Sequence, residues 1–173
     1  MAAIPTEAER DWLMVGVVDR LQVSLREWAA ADMADGGVAD IDKVMDIYWG
    51  DPVILPATSY PSVTIQPSNN TDAGENTRSE ARDLTVLVSI LIDTRGYFNA
   101  TSEEATGDRL LTILADSADT WLRRTVNRTL NDLPGVADVK VRSTRYDVQP
   151  RGVVLAKAAQ ITLVVRRSRQ RHS

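Results

Sequence analysis

Between Arg82 and Asp93 the chain reads RDLTVLVSILID, with Leu84, Val86, Val88, Ile90 and Ile92 alternating with Thr85, Leu87, Ser89, Leu91 and Asp93. A repeat of two matches the alternation of side chains across a pleated strand, and β-branched residues favour that backbone. One face of this strand is wholly aliphatic and the other is mixed, which predicts a place near the middle of a sheet with one side covered. From Thr101 the periodicity becomes helical. Leu110, Leu111, Leu114, Ala118, Trp121, Leu122, Thr125, Val126 and Leu130 form one stripe that runs to about Asn131. A sheet with long helices laid on one face buries both patterns.

The remaining segments extend this scheme. Thr6-Glu7-Ala8-Glu9 has the spacing of a capping box. Val17, Leu21, Leu25 and Trp28 continue the stripe begun by Trp12 and Leu13, which predicts a first helix over about Thr6–Met33, ended by Asp35-Gly36-Gly37. Asp40–Gly50 fits either a short helix or an edge strand. Tyr60–Ile65 reads as a short strand with Pro61 at its start. Gln66–Ala81 is polar, aperiodic and rich in Asn, Ser and Thr, which predicts a long mobile loop between strands. Thr101-Ser102-Glu103-Glu104 opens the second helix and Asn131–Gly135 stops it. In Val136–Val148 the apolar parity shifts between Val139, Val141 and Tyr146, Val148, so a bulge is expected near Arg142–Arg145. Pro150-Arg151-Gly152 turns the chain into a strand over Val153–Val165, with Lys157 breaking the pattern, and Arg166–Ser173 is left as a basic tail. The expected fold is α+β: a mostly antiparallel sheet of four to five strands with two long helices packed on one face. It forms a single domain over 1–165, with the loop at about 66–81 and the tail at 166–173.

Composition narrows the chemistry. The 173 residues contain no cysteine, which removes disulfides and thiolate chemistry. The start MAAIPTEAERDW lacks the basic head and apolar run of a signal peptide, and no stretch is long and apolar enough to span a bilayer. His172, the one histidine, stands second from the end, a poor place for a positioned base. No G-x-S-x-G, Walker or dinucleotide fingerprint occurs. Asp32, Asp35, Asp40, Asp42 and Asp46 lack the ligand order of a calcium loop. These features predict no enzyme activity, no cofactor and no metal.

Charge is segregated along the chain. Residues 1–51 hold 11 acids and 4 bases, whereas residues 140–173 hold 1 acid and 9 bases. Opposite ends could pair within one molecule or dock copies head to tail. Arg166, Arg167, Arg169 and Arg171 could also contact phosphates. Trp28 and Trp121 fall on helical stripes. Trp49, beside Tyr48 in irregular chain, is the aromatic expected at a surface or interface.

The order of elements, with Gly50-Asp51-Pro52, Leu55-Pro56, Tyr60–Ile65, a long polar loop and the aliphatic strand, resembles the tail terminator proteins of long-tailed bacteriophages. These are also called tail completion or tail-to-head joining proteins. The resemblance implies an α+β monomer that forms a hexameric ring, caps the tail tube and presents a surface to the head connector. Its loop is mobile until assembly. The implied partners are further copies of the chain, the tail tube protein, a head–tail connector or neck protein, and DNA in passing, with no membrane. The implied location is the virion neck, and the host cytoplasm during assembly. On this view contacts fall to Tyr48, Trp49, Asn69, Asn70, Arg78, Arg82, Arg166, Arg167, Arg169 and Arg171. Two other readings stay open at this point: a small nucleic-acid-binding protein using the basic C-terminal third, and another virion part such as a head completion or tail tube protein.

Overall fold

The aliphatic alternation of Leu84–Ile92 forms the central strand of a five-stranded sheet. The structure is a computed structural model that describes residues 14–34, 44, 46–52, 55, 59–75, 79–94, 107–152 and 154–170. Its elements are α1 (Met14–Ala34), β1 (Asp46–Trp49), β2 (Ser62–Glu75), β3 (Ser79–Asp93), α2 (Asp108–Leu122), a short 3-10 helix (Thr125–Thr129), β4 (Val136–Arg151) and β5 (Val154–Gln170). Strand order is β1-β2-β3-β5-β4, antiparallel throughout except for the parallel pair of β1 and β2. The α+β class is therefore the one expected, and Asp40–Gly50 resolves in part as the short edge strand β1.

Register assigns the two faces. Leu84, Val86, Val88 and Ile90 lie beside Val165, Leu163, Ile161 and Ala159 of β5, and Val88 and Ile90 beside Ile65 and Val63 of β2. All are buried, and they share one core with Val17, Val18, Leu21, Leu25 and Trp28 of α1 and Leu110, Leu111, Leu114, Ala118 and Leu122 of α2. Both helices thus cover the same face. Lys157, the exception in the β5 pattern, also lies on this face, and its ammonium reaches Asp108 Oδ1 at the start of α2 over 2.6 Å. The irregularity between Val141 and Ser143 falls at Arg142, as the parity shift predicts, and carries Tyr146 and Val148 onto the helix-bearing face. Part of the second face is covered by Leu55, which forms a smaller core with Leu91, Ala156 and Ala158, with Tyr48 and Tyr60 against it.

The helices are locked to each other by polar groups as well as by their stripes. Trp28 Nε1 donates to Ser117 Oγ at 3.0 Å, and Trp121 Nε1 to Ser24 Oγ at 3.0 Å. Ser24 Oγ donates to Asn127 Oδ1 at 2.6 Å, and Asn127 Nδ2 to the Trp121 carbonyl at 2.6 Å. That last bond explains why the second helix is shorter than its stripe. A buried Asn side chain takes a carbonyl near the end of α2, and the chain continues as a 3-10 turn. Leu130, Asn131 and Asp132 follow with φ of 49°, 54° and 61°, which ends helical progress. Both capping boxes, at Thr6–Glu9 and Thr101–Glu104, lie outside the described residues, as do Trp12 and Leu13.

Two expectations are corrected. The polar stretch expected as a mobile loop is strand: 66–75 belongs to β2 and 79–81 to β3, paired in register from Gln66↔Leu87 to Glu75↔Glu80, while 76–78 lie outside the described residues. Of the stretch expected as a free tail, 166–170 is also strand, because β5 runs to Gln170 and pairs Arg166↔Asp83, Arg167↔Arg82 and Arg169↔Glu80, while 171–173 lie outside the described residues. The physical reason is common to both. The ladder joins backbone groups whatever the side chains are, and neither stretch offers an apolar alternation to mark it, since 66–74 is largely exposed and the buried position of the other is Arg167. Register shifts between Pro67 and Asn69 and between Asp72 and Gly74 absorb the proline and the glycine.

Candidate functional site

Element lengths decide where the sheet is left bare. At about 3.3 Å per residue the 17-residue β5 spans roughly 55 Å, whereas the 21-residue α1 spans about 31 Å at 1.5 Å per residue. The described helices do not span the whole sheet. The excess forms a three-stranded arm in which the outer halves of β2 and β3 run beside the end of β5.

A charge ladder holds this arm. Glu80, only 7% exposed, accepts from Arg82 Nε at 2.7 Å and from Arg169 Nε and Nη2 at 3.2 and 3.1 Å. Arg82 also lies 3.9 Å from Asp72 on β2. On the opposite face Asp83 receives a two-pronged bond from Arg166, Nε to Oδ1 and Nη2 to Oδ2, each 2.8 Å. Arg167 is buried and donates to the Pro134 carbonyl at 2.6 Å. The hydrogen bond from Arg82, joined by that from Arg169, holds the Glu80 carboxyl below its ordinary 4.5, against the opposing effect of burial. The Arg166 fork holds Asp83 below its ordinary 3.8, and the same bond raises the guanidinium of Arg166.

The sign of the pH effect follows. A carboxyl whose folded pKa is depressed contributes stability that is complete above its unfolded value and is lost as pH falls through the folded value. Thermal melting is therefore expected to be insensitive to these two groups between pH 7 and 5, and to fall below about pH 4. The double variant Glu80→Gln/Asp83→Asn, compared with the native chain, should show the smaller acid loss. Equal acid sensitivity of the two proteins would remove the ladder from the account.

The other predicted residues fall as follows. Asn69 and Asn70 are exposed on the arm, where Asn69 Nδ2 donates to Thr71 Oγ1 at 3.1 Å and Asn69 Oδ1 accepts from the Asn70 amide at 2.9 Å. Trp49 stands 45% exposed on edge strand β1, whereas Tyr48 turns to the second face and packs on the smaller core. Arg78 and Arg171 lie outside the described residues. The arm thus gathers Asn69, Asn70, Arg82, Arg166, Arg167 and Arg169, and leaves Trp49 apart at the β1 edge. Sequence reading missed the acids Glu80 and Asp83 and the buried Arg151, whose guanidinium bonds Asp51, the Pro52 carbonyl and Gln149. It also missed the exposed Tyr146, Val148 and Leu155 at the β4–β5 turn, although the parity shift marks two of them.

A shallow groove on the second face, of about 100 Å³, is lined by Asp83, Asp138, Lys140, Arg142, Val164 and Arg166. Cofactor and drug-sized ligands fill several hundred Å³ in mostly apolar sites, whereas this groove is smaller and its lining side chains are charged except for Val164. Among the described residues no group of three or more His, Cys, Asp or Glu is placed to hold a metal ion, and no helix is long and apolar enough to cross a membrane. A scan against protein-family models finds no match, and neither does a search of curated proteins.

Proposed function

We propose that this chain is a structural protein of the phage neck or tail end. It assembles into a ring, hexameric by the family resemblance, that caps the tail tube and meets the head connector. The observation that carries this reading is the architecture: a sheet longer than its helical cover, extended into an exposed arm and bounded by two strands with unlike surfaces. Such a monomer offers large, stiff surfaces to neighbours. The arm's described charges are paired along its strands, which favours docking of an already formed surface.

The nucleic-acid reading draws less support. Arg166 and Arg169 already bind Asp83 and Glu80, and the Arg167 guanidinium is buried, so the basic run is largely committed within the chain. Its partners are acids of β3 and not those of the first third. Arg151 with Asp51 is the pair that joins the two oppositely charged ends among the described residues.

Assembled mass tests the proposal. Six copies of the 19.1 kDa chain weigh about 115 kDa, and light scattering with negative-stain images of the same sample should show that mass as a closed sixfold ring with a channel. The ring reading fails if the chain stays monomeric both at high concentration and with tail tube added as a template.

A further inference from the structure

We infer that the groove on the second face is a site for one phosphate-class oxyanion, held by Arg142, Lys140 and Arg166. The inference goes beyond the ring reading and does not rest on it. It begins at the irregularity of β4. Val141 pairs with Leu163 on the helix-bearing face, and Ser143 pairs with Thr162 on the other. Arg142 is the extra residue between them, and its side chain lines the groove with that of Lys140. A bulge of this kind re-aims a side chain out of the regular alternation. Here it sets Arg142 and Ser143 in succession on one face, so N–H and O–H donors gather along one short stretch of the β4–β5 pair.

The charges of the groove do not balance. Three cations line it against two acids, Asp83 and Asp138. Arg166 spends its Nε and Nη2 on the two oxygens of Asp83, each at 2.8 Å. Asp138 meets Lys140 at 3.5 Å, a contact between exposed side chains with which water competes. Arg142 is exposed and makes no hydrogen bond or ion pair among the described residues. Its charge is the one left over. Asp83 registers that excess, because after the hydrogen bond and charge of Arg166, and against burial, Arg142 and Lys140 add to the hold that keeps its carboxyl below the ordinary 3.8.

Size and donor geometry choose the ligand. A groove of about 100 Å³ admits a single small oxyanion and excludes a base or a cofactor ring. The donors come from three side chains on two strands. Arg142 offers its whole fork, Lys140 its ammonium, and Arg166 its Nη1, which makes no hydrogen bond among the described residues. A carboxylate has two oxygens in one plane and is satisfied by the Arg142 fork alone. A phosphate turns a separate oxygen to each of the three donors. Asp83 tethers Arg166 and so keeps one wall of the groove in place before the anion arrives.

The test is a titration with inorganic phosphate at constant ionic strength, so that screening does not change. Relaxation-optimised amide spectra of the labelled chain serve for monomer and ring alike. Saturable shifts are expected at Lys140–Ser143 and Val164–Arg166, with a midpoint on the order of 1 mM for an exposed site. Arg142→Gln should weaken binding about tenfold. Asp138→Asn, which removes a competing acid, should tighten it about threefold. Arg123→Gln, a paired cation on α2, should leave it unchanged. A short thymidine oligonucleotide then identifies the source. A midpoint well below that of phosphate assigns the oxyanion to a nucleic-acid backbone, and an equal midpoint per phosphate assigns it to a free phosphate group; both keep the site. Shifts without saturation, or equal binding by Arg142→Gln, would overturn the inference and leave an adventitious counter-ion only. Acetate binding as tightly at the same residues would overturn the phosphate assignment. None of these results depends on assembled mass, so failure here leaves the ring reading standing.

Discussion

Truncating Trp28 to alanine is expected to cost about 4 kcal/mol, the range for emptying an aromatic site in a packed core. Trp28 is 2% exposed, sits where α1 meets α2 over the sheet, and anchors its indole N–H on Ser117 at 3.0 Å. The variant loses the buried area, leaves a cavity that two helices tied by the Ser24–Asn127–Trp121 network cannot close, and removes a donor from Ser117. Native domains hold about 5–15 kcal/mol in total, so this one change takes a large share. For a chain of this size the midpoint should fall by roughly 8–16 °C, readable in a thermal or urea melt. Trp28→Phe separates the contributions, because it keeps most of the volume and loses the hydrogen bond. A loss for phenylalanine equal to that for alanine would show that the bond, and not the packing, dominates.

Replacing Arg151 by alanine is the second large effect. Its side chain is 8% exposed, and its Nη1 bonds Asp51 Oδ1 and the Pro52 carbonyl while Nη2 bonds Gln149 Oε1 at 2.6 Å. This clamp ties the end of β4 to the chain leaving β1, from opposite edges of the sheet, across the second face. Removing one member of a buried pair costs about 3–5 kcal/mol when the other stays buried. Asp51 is 30% exposed and can be rehydrated, so about 2 kcal/mol is the expected loss. Arg151→Lys should recover little of it, since an ammonium cannot reproduce the fork. A double-mutant cycle with Asp51→Asn measures the coupling; a coupling near zero would mean that Arg151 acts through packing and its bonds to the Pro52 carbonyl and Gln149.

Much of the fold is legible in the sequence wherever one face of an element meets the core. Leu84–Ile92 alternate because one side of β3 faces the helices, and Val17, Leu21, Leu25 and Trp28 recur at helical spacing for the same reason. The bulge at Arg142 is visible because burial of Val139 and Val141 on one side of it, and the parity of Tyr146 and Val148 on the other, require an extra residue between. Trp49 is exposed, as expected of it, but it stands on the regular edge strand β1 and not in irregular chain. Composition likewise determined the aliphatic character of the core.

Tertiary structure alone decided the arm. Gln66–Gly74 carries no apolar period because both its faces are largely exposed, and Arg166–Arg169 carries none because its one buried position is Arg167; both backbones are ordered by strands distant in sequence. The partners of the basic run could not be read from spacing either. Asp83 and Arg166 stand 83 residues apart, Glu80 and Arg169 89, and Asp51 and Arg151 100. Short-range pattern reports burial and local turn chemistry. It cannot report which charge meets which across a sheet, because register between distant strands depends on the whole packed layer. The sequence by itself determined the layers, and the fold decided that its basic end would be a strand with its charges answered.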